Sequence, residues 1–251
     1  MSTMAVFRLG NRLFWHDRAM LTASVATPLL LGVGLPVMMS RLGRPQDAVA
    51  MYHGMIALLL SVSGFMAIAT LLTARRDHLV LKRMRATGLT DRQILTGEIG
   101  NVVWQQILLV ALVTAGARLF AGVPLPRDPV LFAVFAVAGA TVAAMLGAAW
   151  TAAIPRAELA AAMSVPFFLL AALGGGAFGP LLDLLPPWLG TALSLLPTSP
   201  VVDAVRTAYD EGGDLAGDLA AAGRPALLLA VWAAVAVVAM ARWFRWEPRR
   251  P

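Results

Sequence analysis

Residues 54–73 read GMIALLLSVSGFMAIATLLT, twenty consecutive positions without a charge. A helix rises about 1.5 Å per residue and a bilayer presents roughly 30 Å of hydrocarbon, so about 20 such residues suffice to cross it. Outward from this stretch, 20–39, 102–120, 130–154, 159–178 and 225–241 are also apolar enough and long enough to span. Composition agrees. Of 251 residues 59% are apolar and only 14% charged, with a mean hydropathy of +0.75, whereas a soluble domain is about 25% charged. The predicted fold is therefore all-α: a polytopic membrane protein with six transmembrane helices in a single transmembrane domain over residues 1–251.

The same residues exclude several chemistries. There is no cysteine, hence no disulfide, thiolate metal site or Cys nucleophile. His16, His53 and His78 sit at span ends, in different loops, without ligand spacing. No catalytic, cofactor-binding or metal residue is predicted. Each expected span lacks Asp, Glu, Lys and Arg in its middle, which argues against ion-coupled transport. No G-x-x-x-x-G-K-[ST] loop occurs, so any ATP must be bound by another polypeptide. The net charge of +6 lies beside spans rather than along an aromatic-studded stripe, so no nucleic acid is expected. The first 19 residues lack the apolar run of a cleavable signal, and the first span is expected to act as an uncleaved one. Basic charge rests on arginine, Lys82 being the only lysine, and with abundant Ala, Gly and Pro this points to a high-GC bacterial genome.

Orientation follows from Lys and Arg in the short loops. With the N-terminus inside, fourteen of the 20 basic residues fall on the inner side, six of them between Arg75 and Arg92. Both termini are then cytoplasmic, and the protein is expected in the bacterial inner membrane. The tail Arg242, Trp243, Phe244, Arg245 and Trp246 pairs interfacial aromatics with basic groups and reads as an anchor among anionic lipid headgroups.

Four segments could carry mechanism. Wound as a helix, residues 4–18 put Val6, Phe7, Leu9, Leu13 and Phe14 on one side and Arg8, Asn11, Arg12 and Arg18 on the other, with Met4 and Trp15 breaking the pattern. Such a helix lies in the interface, as an anchor or as a lever to a cytoplasmic partner. In the loop 75–98, Arg75, Arg76, Lys82, Arg83 and Arg85 alternate with Leu81, Met84 and Leu89. A short two-faced helix, a turn at Thr87 and Gly88 and a capping box at Thr90–Gln93 are predicted, together a docking element for another protein. Gly139, Ala143 and Gly147 recur every four residues and mark close helix packing. In the fifth span Pro166 and the triplet Gly174, Gly175 and Gly176 predict a kinked or unwound helix, which suits it to line a pathway. Pro28 interrupts the first span and joins these hinge candidates.

The outer connection, 179–224, is itself partly apolar. Pro186, Pro187, Trp188, Pro197 and Pro200 punctuate it before Asp203, Arg206 and a run of acids. Two short helices are predicted, the first dipping into the outer leaflet without crossing, and the acidic part reads as a lid.

These features resemble the membrane subunit of an ABC type-2 transporter. The stretch 81–97, LKRMRATGLTDRQILTG, is similar to that family's L-x-x-L-R-x-T-P-L-S pattern, and LPTSPVVDAVR at 196–206 to its P-x-x-x-x-x-D-A-x-R ending of a re-entrant segment. The resemblance implies a homodimer or heterodimer of permease subunits on two ATP-binding cassette subunits, which hold ATP and Mg. The helix of residues 75–89 would then couple to the ATPase, and spans one, two and five would flank the route. Gly88 stands where the family often has Pro, and Arg75 and Arg76 where acids are common. The expected function is export of an amphipathic, drug-like or lipid-like substrate. An intramembrane protease-like enzyme and a non-transporting scaffold or sensor are the rivals.

Overall fold

The computed structural model describes residues 3–16, 18–174, 186–210, 212 and 215–247. Among them every regular element is helical. Six helical stretches are long and apolar enough to cross a membrane: Ser24–Arg41, Pro45–Asp77, Asp91–Ala121, Pro129–Trp150, Ala157–Gly174 and Gly217–Trp243. The chain is a multi-pass membrane protein.

Chain order begins with α1 (Thr3–His16) and the single turn α2 (Arg18–Leu21). A π turn, Thr22–Ala26, leads into α3 (Thr27–Arg41), which completes span one. Span two is α4 (Pro45–Leu59), a second π turn (Leu60–Met66) and α5 (Ala67–Asp77). The short α6 (Val80–Ala86) precedes span three, which is α7 (Asp91–Gly116) closed by a third π turn, Ala117–Ala121. Then come α8 (Pro129–Trp150) as span four, α9 (Ala160–Gly174) in span five, α10 (Pro187–Leu193), α11 (Ser199–Tyr209) and α12 (Leu215–Trp243).

Burial divides the spans into a centre and a rim. In its most apolar window span two is 62% buried and span four 50%, against 17% for span one and 11% for span six. Spans two and four therefore form the axis, and the rest offer most of their surface to lipid. Lipid tails are as apolar as leucine, so close backbone approach does the holding here. The small-residue face of α8 supplies it within the chain, as expected from its spacing. A Cβ at Gly139 would meet Val201 and Leu60, and one at Gly147 would strike the carbonyl oxygen of Phe65 and Cγ2 of Ile68. That carbonyl belongs to the π turn of span two. The bulged backbone and the bare glycine fit one another.

Ends are fixed locally. Asp128 Oδ1 accepts hydrogen bonds from Val130 N (3.0 Å) and Leu131 N (2.9 Å), and Pro129 opens α8, which is ordinary N-terminal chemistry. Thr90 caps α7 through the full reciprocal box with Gln93.

Some boundaries differ from expectation, span two among them, which starts at Pro45 rather than 54. Span three starts at Asp91, well before residue 102, because the capped helix runs unbroken from the docking loop into the membrane. The last helix begins at Leu215 rather than 225, since Pro225 is accommodated inside it. Span five is described as far as Gly174; Gly175, Gly176 and the rest of 175–185, including the start of the outer connection, lie outside the described residues.

Candidate functional site

The predicted docking element is built as a reversed helix between two corners. At Leu79 the backbone turns left-handed, with φ of 57°, and α6 then runs for two turns. Gly88, with φ of 85°, reverses the chain toward the cap of α7. Proline fixes φ near −65°, so the proline frequent at this place in similar sequences cannot make this turn. The glycine and the geometry go together.

On α6 the apolar residues Leu81 and Met84 point inward, joined by Leu89 after the turn. They pack with Val6, Ile68, Leu72 and Ile94, which ties α6 to α1, α5 and α7. Lys82, Arg83, Arg85, Thr87 and Gly88 are exposed. Arg85 pairs with Asp91 at 2.9 Å and lies over the Trp246 ring at 4.8 Å, and Lys82 reaches Glu247 at 3.2 Å. The tail after span six therefore clasps α6. Its aromatics Phe244 and Trp246 join the same apolar cluster, so they are more than the membrane anchor expected of them.

Arg75 and Arg76 do not belong to this exposed face. Both are buried. Arg75 forms an ion pair with Glu98 of α7. Arg76 donates to the carbonyl oxygens of Thr151 (3.1 Å), Ile154 (2.9 Å) and Pro155 (3.2 Å), and through Nε to Asp77 (3.2 Å). Asp77 in turn accepts from Ala157 N at 2.7 Å. A helix end leaves carbonyls without partners and carries partial negative charge, so Arg76 is placed to cap the exit of α8. Guanidinium donors engaged inside the bundle are withdrawn from a docking surface. The two arginines brace the base from which α6 projects.

Behind that base runs a polar seam that reading the spans as apolar runs overlooked. Ser63, Glu98, Asn101 and Gln106 each keep one buried side-chain oxygen without a partner. Ser63 and Asn101 also line a cavity of about 170 Å³ with Gly10, Arg75 and Gln105. The capping box was the signal: once α7 starts at Asp91, Glu98, Asn101, Gln105 and Gln106 fall inside a membrane helix at roughly helical spacing.

The interfacial helix contributes a narrower face than its pattern suggested. Val6, Gly10 and Phe14 are buried on one line of α1, while Leu9, Leu13, Met4 and Trp15 face outward. α1 packs along α7, where a Cβ on Gly97 would meet Val6.

Of the hinge candidates, Pro28, Pro166 and Gly174 are among the described residues. Pro28 opens α3 directly after a π turn and is buried. With Leu31, Met55, Leu59 and Phe168 it lines an apolar groove of about 250 Å³ shared by spans one, two and five. Pro166 lies inside α9, and its neighbour Phe167 stacks on Phe65 of the span-two π turn at 3.7 Å. Gly174 ends α9, where Ser199 Oγ lies 3.0 Å from its carbonyl oxygen.

In the outer segment Pro186 and Pro187 start α10, whose Trp188 is exposed, and seven residues are too few to cross. Pro197 and Pro200 are buried, and α11 sets Val201, Val202 and Val205 inward with Asp203 and Arg206 outward. Tyr209 donates to Tyr52 Oη (3.2 Å), which lies 2.8 Å from Thr114 Oγ1, itself donating to Val110 O (2.7 Å). Burial, with the Tyr52 hydroxyl beside it, pushes the Tyr209 phenol up and keeps it a neutral donor. Of the acidic lid, Asp218 is drawn inward to pair with Arg127, while Glu211 and Asp214 lie outside the described residues.

Against known proteins, the family described as ABC-2 type transporter matches residues 1–209, from α1 through the end of α11. The chain belongs to that family. No match is found among curated proteins. An ABC-2 membrane protein is the permease component of a transporter and not its ATPase. The ABC-2 match includes α6 and its two corners, the buried arginines, α10 and α11. It stops before α12 and the clasping tail.

Proposed function

We propose that this permease forms the path of an ATP-driven exporter in the bacterial inner membrane, with both termini cytoplasmic. Two permease copies, identical or paired with a related chain, sit on two ATP-binding cassette subunits, and those subunits hold ATP and Mg. The cargo is amphipathic, drug-like or lipid-like. One observation carries the reading: α6 presents Lys82, Arg83 and Arg85 outward from a base locked by Arg75 and Arg76. A helix seated this way passes a push to spans two and three with little loss, and its basic face suits an acidic groove on the ATPase. The groove shared by spans one, two and five, with Pro28 and Pro166 beside it, is the candidate wall of the route. The outer segment, with Pro186, Trp188, Asp203 and Arg206, closes its far end.

Arg83 is the cleanest test, because among the described residues it has no ion-pair partner to lose. Arg83→Glu should cut co-purification with the cognate ATP-binding subunit and stimulation of its ATPase by tenfold or more, on the order of 1.4 kcal/mol, with Arg83→Lys restoring both. Unchanged complex formation sinks the docking role.

A further inference from the structure

At the end of the bundle that carries α6, a groove of about 760 Å³ runs between α8, α9 and the last turns of α12. It is lined by Phe65, Phe167, Trp150 and Trp232, and by Arg242 and Arg245 at the end of α12. From Trp232 to Arg242 is ten residues of helix, about 15 Å, which is half of a roughly 30 Å hydrocarbon core. The groove is thus one leaflet deep. Its walls are aromatic and aliphatic, while the end of α12 holds two exposed guanidiniums with no ion-pair partner among the described residues. Exposed Trp243 beside them marks the headgroup level.

We propose that this groove binds one anionic glycerophospholipid, with acyl chain along Phe65, Trp150 and Trp232 and phosphate between Arg242 and Arg245. Guanidinium matches phosphate oxygens in a two-pronged fashion, and basic pockets between membrane helices are where acidic headgroups collect. A second copy of the chain fits less well. Of the described acids near this end, Asp77, Asp91, Glu98 and Glu247 already have partners within the chain, which leaves the exposed Glu158 alone to answer two arginines across an interface.

The test uses the full chain in mixed micelles, scored by native mass spectrometry and by thermal unfolding. Phosphatidylglycerol should be retained on the order of tenfold more tightly than phosphatidylcholine of the same acyl chains and should raise the unfolding midpoint. Arg242→Gln with Arg245→Gln should abolish the preference, Arg242→Lys with Arg245→Lys should keep it, and Arg41→Gln with Arg118→Gln should leave it intact. Inorganic phosphate alone should change nothing. Equal retention of the two lipids, a preference that survives the double Gln variant, or the same stabilisation by free phosphate overturns the proposal. So does a disulfide-linked dimer formed through Ala239→Cys, which in this cysteine-free chain would put a second copy in the groove.

Discussion

A guanidinium inside a membrane bundle needs an acceptor for nearly every donor, and Arg75 and Arg76 meet that demand in different ways. Arg75 has one charged partner, Glu98. Removing one member of a buried pair strands the other at a cost of about 3–5 kcal/mol, while replacing both with apolar groups is often neutral. Glu98→Leu is therefore expected to lower the unfolding temperature sharply in detergent, and Arg75→Met with Glu98→Leu to recover most of the loss. Arg76 instead spreads its donors over three backbone carbonyls and Asp77, so no single substitution elsewhere can compensate for it. Neither role is visible in sequence, where arginines just past an apolar run carry only a topology signal. Gly88 is the opposite case. Its departure from the expected proline was legible, and the positive φ of 85° gives the reason. Gly88→Pro should disrupt the turn and, with it, co-purification with the ATPase, while leaving the spans helical by circular dichroism.

Elements were legible in proportion to how far their signals were local. Thr90 and Gln93 announced the start of α7 through a four-residue box, and removing it with Thr90→Ala should cost about 1 kcal/mol in a thermal or denaturant melt. The three π turns were not foreseen. One extra residue in a helical turn leaves hydropathy unchanged, and only the partner surface betrays it, as Gly147 does for the bulge at Phe65. Gly147→Leu should force spans two and four apart and destabilise the protein more than Gly190→Leu, since a Cβ at Gly190 meets nothing. The two faces of α1 were half legible: its polar side was clear, but the apolar side turns out to be shared between α7 and lipid. Which residue takes which neighbour depends on α7, where Gly97 meets Val6 and Asn101 meets Gly10.

At the scale of the whole molecule, six spans, their order and the short outer helices all follow from runs of about 20 apolar residues broken by charge and proline. What packs on what does not follow, because every face of an alanine-rich span looks alike. Orientation is open to direct measurement. Arg83→Cys and Trp188→Cys introduce single thiols at exposed sites, and an impermeant maleimide added to right-side-out vesicles should label the second and spare the first. The reverse pattern would invert the assignment.

The contact of Trp246 and Glu247 with Arg85 and Lys82 has a mechanical meaning. Without it α6 would rest on spans two and three, which join it, and on α1, which packs beneath it. With it the chain closes on itself, and the last span becomes a third bar of the linkage. A force applied at α6 would then be shared by three rods, and each would move less than it would without the clasp.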